Sequence, residues 1–237
     1  MFFMNFAGGK STPIRKSKFG NLLEAAEDFR YLLNREYPRK AALELVGNRY
    51  GLNFDERHLL HRGVFSIADL GSRRKKKISA KEVKNKNLAI DGHNVIITIE
   101  AGIKGWPLIL GDDGFIRDIS GISGSFKKTE TTGKAIQFII NVIKRIRPRK
   151  TLFLFDAPIS MSGILAQEVR SHLKREKLPG DALAVKVPEK ILIGFPGVVA
   201  TSDTAIIDQS NRVLDLAGYI LRQHLCKKKN IAVIRLR

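Results

Sequence analysis

The chain has one cysteine and one tryptophan in 237 residues, and few acidic groups for its many basic ones. A single cysteine, Cys226, excludes an internal disulfide framework and a cysteine-cluster zinc site, and it fits a reducing cytoplasm. No apolar stretch reaches the ~18 residues of a membrane span, so no membrane partner is expected. The apolar start, MFFMNFAGGK, has no basic segment ahead of it and is short for a signal peptide. The acidic deficit is the strongest of these signals. Asp and Glu number 23 against 42 Lys and Arg, a formal net charge of +19. Both halves of the chain are basic, so the excess is not a tail. Such a charge selects a polyanionic partner, nucleic acid ahead of an anionic membrane surface.

What is present divides into two regions joined by a basic stretch. Residues 1–72 read as a helical region whose first ~18 residues are loosely ordered. From Asn21 to Tyr37, Leu22, Ala25, Ala26, Phe29, Leu32 and Leu33 share one helical face. Pro38 suits the first turn of a second helix, which Gly51 closes. Asp55 is placed to cap a third helix, ERHLLHRGVF. Residues 73–86 are dense in Lys and Arg and read as a solvated, partly helical linker. Such a charge run is ordinarily just exposed; read functionally, Arg73, Arg74 and Lys75 in it are a candidate phosphate-contacting strip. Residues 87–237 then alternate apolar strands with helices. LAID, TLFLFD, LAVKVP, GVVATSD and NIAVIRL read as strands, and helices are expected near 94–101, 131–146, 160–174 and 211–225. PLILGDDGFIRDI reads as a hairpin with Asp-Gly at its turn. The alternation predicts an α/β domain with a mainly parallel sheet covered on both faces.

Several of these strands stop on a carboxylate. LAID ends at Asp91, LFLFD at Asp156 and VVATSD at Asp203, with Asp208 five residues further on. Ligands bind beyond the carboxyl ends of strands in open α/β sheets. Taken singly, each aspartate has an ordinary role: Asp91 and Asp156 in turns, Asp203 in the first turn of a helix, Asp208 on a helix surface. Taken together, uncompensated carboxylates at one rim repel and raise one another's pKa, and a hard divalent cation removes that conflict. Five residues of helix turn the side chain by ~140°. Asp203 and Asp208 therefore share an ion only if the helix begins between them or water bridges the gap. Lys127 and Lys128, beside a Gly/Ser loop, are placed to contact a nucleic-acid backbone. Trp106 either stacks on a base or closes a core edge. GGKST, residues 8–12, lacks the preceding glycine of a phosphate loop. His58 and His61 are spaced for a metal pair but have no cysteine or third histidine nearby.

The order and context of these motifs resemble the PIN-like nuclease superfamily, including its NYN and flap-endonuclease branches. AIDGHNVI resembles the superfamily's first strand and turn, LFLFDAP its later hydrophobic run ending in Phe-Asp, and VATSDTAIID its Ser-Asp element. The resemblance covers residues 88–225. It implies a three-layer α/β/α fold, Mg²⁺ or Mn²⁺, and hydrolysis of RNA or DNA phosphodiesters. Carried over, Asp91, Asp156 and Asp203 are metal ligands, and Asp208 is a fourth ligand or holds metal-bound water. Asn94 supports Asp91 and joins Lys127, Lys128, Arg73, Arg74 and Lys75 in nucleic-acid contact. Many members carry a glutamate on a helix between the first two aspartates. Glu130 is the best counterpart here, with Asp112, Asp113 and Asp118 as rivals. The whole chain also resembles an archaeal family with a helical N-terminal segment. The expectation is a cytoplasmic metal-dependent nuclease acting on RNA rather than DNA. Its rivals are a non-catalytic nucleic-acid or ribonucleoprotein adaptor and a structural subunit that meets an acidic protein.

Overall fold

The computed structural model describes residues 2–5, 11–14, 16–119, 126–224 and 233–237. The chain opens with an antiparallel pair, β1 (Phe2–Asn5) and β2 (Ser11–Ile14), where a loosely ordered start was expected. Helices α1 (Lys16–Asn34), α2 (Arg39–Arg49), α3 (Phe54–Gly63) and α4 (Ile67–Lys76) follow. The cap of α3 is Asn53, not Asp55. Asn53 accepts from the Glu56 amide while the Glu56 carboxylate accepts from the Asn53 amide, a reciprocal capping box. Helix α4, capped by Ser66, runs through residues 73–76, so the first part of the basic stretch is helix rather than solvated connector.

Strand β3 (Asn87–Asp91) begins the α/β region and leads into α5 (Gly92–Ile103). The hairpin follows as β4 (Leu108–Leu110) and β5 (Ile116–Asp118), with Gly114 at φ +82° in the turn. Next come α6 (Glu130–Ile146), β6 (Lys150–Asp156), α7 (Ser162–Arg175) and β7 (Gly180–Val185). The short α8 (Pro188–Ile193), β8 (Val198–Ala200), α9 (Thr204–Gln209) and β9 (Val213–Leu214) precede α10 (Leu216–His224) and β10 (Val233–Ile234). The last helix thus starts five residues later than its sequence pattern predicts, because β9 takes the residues ahead of it. No helix among the described residues is long and apolar enough to cross a membrane.

The main sheet is parallel throughout, in the order β7-β6-β3-β8-β9. Alternation along β3 decides its packing. Leu88 and Ile90 enter a core built with α5, α6, α7 and α10, while Ala89 faces Leu192 of α8 and Ile206 of α9. Burial on both faces explains why these strands read as continuous apolar runs. A second sheet, β10-β4-β5, joins the regions. Ile109, Ile119, Ile234 and Leu236 pack against α1 to α3, and Leu108 and Ile116 pack the other way against Ala101 and Leu221.

Charge seals this junction. Arg30 and Arg237 both bond Asp112, and Arg117 holds Asp113 through two bonds of 2.8 and 2.6 Å. The Phe65 ring lies under the guanidinium groups of Arg39, Arg73 and Arg117 at 4.8, 4.5 and 5.0 Å. The two hairpin aspartates are therefore buried acceptors rather than solvated turn residues.

Candidate functional site

The parallel register brings the strand ends to one edge. Asp91 pairs with Leu154, which puts Asp156 two residues further along β6, and Ile90 pairs with Ala200, which sets Thr201 beside Asp91. Asp91, Asp156 and Asp203 all line a cleft of about 310 Å³ at this edge. Arg62 of α3 and Asp118 of β5 line the same cleft. The Arg62 Nε donates to the Asp118 carbonyl at 3.2 Å, and its guanidinium lies 3.6 Å from the Asp118 carboxylate.

Each carboxylate is held differently. The Thr201 hydroxyl donates to Asp91 Oδ2 at 2.7 Å. Burial nevertheless pushes the Asp91 pKa up to about 7, with Thr201 opposing and the charges of Asp203 and Asp156 adding to the rise. Burial also raises Asp156. Asp203 caps α9, its Oδ1 accepting from the Ala205 and Ile206 amides at 2.9 and 3.1 Å, while its own amide donates to Thr201 Oγ1. Asn94 accepts from the Ser202 amide and hydroxyl at 2.9 and 3.0 Å. It fixes the β8–α9 loop and lines the cleft, and its backbone amide donates to Asp91, the support expected of it.

His93 is built into the same wall. Its Nδ1 accepts from the Asp156 amide at 3.1 Å, so its proton sits on Nε2. The ring is 3% exposed and meets Phe126 and Phe155 edge-on at 5.4 and 5.3 Å. Burial pushes its pKa down to about 4, and Nε2 has no hydrogen-bond partner among the described residues. His93 is thus a neutral prop for Asp156. Gly92, between Asp91 and His93, has no room for a side chain: a Cβ there would lie 2.4 Å from the Phe155 ring and 2.9 Å from the Leu154 carbonyl oxygen. Gly92→Ala is expected to cost about 1–3 kcal/mol of stability, read as a lowered urea midpoint at unchanged slope.

Other expected ligands lie elsewhere. Asp208 pairs with Arg73 through bonds of 2.6 and 2.7 Å, because α9 starts at Thr204 and turns Asp208 toward α4. That pair also removes Arg73 from nucleic-acid contact: it is 4% exposed and held by Asp208 and Asp113. Glu130 stands exposed in the first turn of α6, paired with Lys134. Among its rivals, Asp118 lines the cleft and Asp112 and Asp113 do not. Lys128 pairs with Glu168, Arg74 donates to the Asp112 carbonyl, and Lys75 is exposed on the last turn of α4. Lys127 lines a neighbouring hollow instead. Sequence reasoning missed Arg62 and Glu189 in the cleft wall, since neither belongs to a motif.

The donor set is all oxygen, which suits a hard cation. Among the described residues, no three His, Cys, Asp or Glu side chains stand close enough to hold one ion together. The arrangement therefore fits an ion held by one or two carboxylates and completed by water, as Mg²⁺ tolerates.

Residues 80–219 match a family model described as a domain of unknown function, DUF5616. The chain belongs to the DUF5616 family. Residues 21–76 match a second model, a protein of unknown function, DUF434. An uncharacterised protein of Methanocaldococcus jannaschii, MJ0935, is 36% identical over 207 residues, covering 86% of this chain and 98% of its own length. No solved structure matches. The DUF5616 segment contains the three strand-end aspartates, and the DUF434 segment contributes Arg62 to the same cleft.

Proposed function

We propose that the protein is a metal-dependent nuclease of the PIN-like type, acting on single-stranded RNA in preference to DNA. The observation that carries this reading is the meeting of Asp91, Asp156 and Asp203 in one cleft, with Arg62 in its wall, in a protein of net charge +19. Bound Mg²⁺ or Mn²⁺ would polarise a phosphate oxygen and activate water for attack on phosphorus. Asp91, with one of Asp156 and Asp203, would hold it, and water would complete its shell; Asp203 Oδ2 is not used in capping. Thr201 orients Asp91, and His93 fixes the backbone of Asp156. Arg62 is positioned to hold the phosphate against the carboxylate wall, since its guanidinium meets Asp118 at only 3.6 Å and can share its remaining donors.

Wild-type protein with labelled single-stranded RNA is expected to cleave in Mg²⁺ or Mn²⁺ and not in EDTA. Salt-sensitive binding with no cleavage in either metal would replace this reading with the non-catalytic adaptor, a reading favoured by the lack of a three-carboxylate cluster among the described residues. Arg62→Gln is expected to weaken RNA binding roughly tenfold and to lower the salt dependence by about one phosphate contact. The effect should fall on KM more than on kcat, and an unchanged KM would remove Arg62 from the site.

A further inference from the structure

Beside the aspartate cleft lies a smaller hollow of about 160 Å³, whose wall includes Ile97, Glu100, Lys104, Trp106, Phe126 and Lys127. The two are adjacent. Ile97 lines both, and Phe126 of the hollow touches the His93 ring of the cleft. Ile97 and Glu100 on α5 and Lys104, which caps it, stand at i, i+3 and i+7, so one stripe along that helix leads from the cleft to the hollow over about 10 Å.

We propose that this hollow binds one nucleobase of the strand whose phosphate lies in the aspartate cleft, and that it favours bases bearing an exocyclic amino group. The placement rests on the nuclease reading; the chemistry of the hollow stands by itself. Trp106, half-buried, is the aromatic wall available to stack on a base, and Phe126, 3% exposed, closes the apolar floor. Lys104 lies over the Trp106 ring at 4.7 Å and Lys127 stands at the rim, so both ammonium groups are available to flanking phosphates once a base enters. Glu100 supplies the selectivity. It is 4% exposed, and its Oε1 accepts from the Thr132 and Thr129 hydroxyls at 2.6 and 3.2 Å. Lys104 comes no closer to that carboxylate than 4.0 Å. Oε2 accepts no hydrogen bond from any described residue and is not sealed from solvent, which leaves a carboxylate oxygen open to an N–H donor that enters the hollow. The amino groups of adenine, cytosine and guanine meet it. Uracil offers a ring N–H flanked by two carbonyl oxygens that the carboxylate repels.

Trp106 is the sole tryptophan, so its emission reports on the hollow alone. The full chain, in EDTA at low salt, is titrated with short oligoadenylate, oligocytidylate and oligouridylate, and with AMP as the free-nucleotide arm. Oligoadenylate and oligocytidylate are expected to quench Trp106, with oligouridylate weaker by about tenfold. AMP is expected to bind more weakly than the oligonucleotide, because it lacks flanking phosphates. Trp106→Ala, followed by anisotropy of labelled oligoadenylate, is expected to lose roughly five- to hundredfold in affinity. Glu100→Gln keeps the reporter and serves if the tryptophan variant does not fold. Its amide can donate to uracil, so the preference for amino-bearing bases should vanish or reverse. Binding without quenching, equal affinity for the three oligonucleotides, or no binding of any probe would each overturn the proposal. Metal-dependent cleavage that is indifferent to Trp106→Ala sinks the base site and spares the nuclease. Quenching with the expected selectivity but no cleavage does the reverse.

Discussion

Asp91→Asn is expected to abolish metal-dependent cleavage while making the metal-free protein more stable above pH 7. The two effects share a cause. Asp91 sits buried beside Asp156 and Asp203, and its pKa stands at about 7 against an ordinary value near 3.8. A carboxyl raised in the folded state binds more protons there than in the unfolded chain between these values. Stability therefore falls as pH rises through that window, and the full penalty remains above it. On the stated shift, the penalty is on the order of a few kcal/mol. His93 acts with the opposite sign. Its pKa is lowered to about 4 in the folded state, so the unfolded chain takes the proton first and stability rises with pH up to the ordinary imidazole range. The stability of Asp91→Asn relative to wild type in EDTA should therefore climb as pH rises from about 4 to about 8. The asparagine carbonyl can still accept from Thr201, so the loop stays in place. Urea denaturation in EDTA at about pH 4.5 and about pH 8 checks this. A variant no more stable than wild type at the higher pH would mean that Asp91 is not held at an electrostatic cost.

Arg117→Met is expected to destabilise the protein by about 3–5 kcal/mol, the largest stability effect of any surface-distant side chain named above. Arg117 is 1% exposed and so is Asp113, and removing the guanidinium strands a buried carboxylate. Arg73 remains near Asp113 at 3.4 Å, but it is already bonded to Asp208. The Arg117 Nε also donates to the Ser202 carbonyl at 2.8 Å, which ties the buried network to the loop that carries Asp203. Activity should fall with stability, even at temperatures where the variant is fully folded. Arg117→Met combined with Asp113→Leu should recover most of the stability, because the stranded charge is gone. A urea midpoint shift equivalent to less than about 1 kcal/mol would place this pair with exposed, nearly neutral ion pairs.

The contrast between what could and could not be read from the residues follows from range. The strands ending at Asp91 and Asp156, and the apolar run before Asp203, are local signals, and parallel register converts them into one edge. Asp208 misleads because TSDTAIID does not reveal where the six-residue α9 begins, and its partner Arg73 lies 135 residues away. Segments as short as α8, α9 and β9 fall below the window in which periodicity is measurable. Glu130 carries a signal that can be read either way, since an acid in a first turn with Lys134 four residues on is ordinary helix chemistry. Arg62 gives no signal at all. It is one basic residue among many on an amphipathic helix, and only tertiary packing brings it to the cleft of the aspartates. Glu100 is similar: its burial depends on Thr129 and Thr132, contributed from α6 and the residue before it.

The central claim is that the strand-end aspartates seat a divalent cation. A crystal soaked in Mn²⁺ and measured for anomalous scattering tests it most directly. The account predicts a peak in the cleft within coordination distance of Asp91 and at least one of Asp156 and Asp203, lost in Asp91→Asn. A cleft without manganese while the ion binds elsewhere on the same molecule would contradict it.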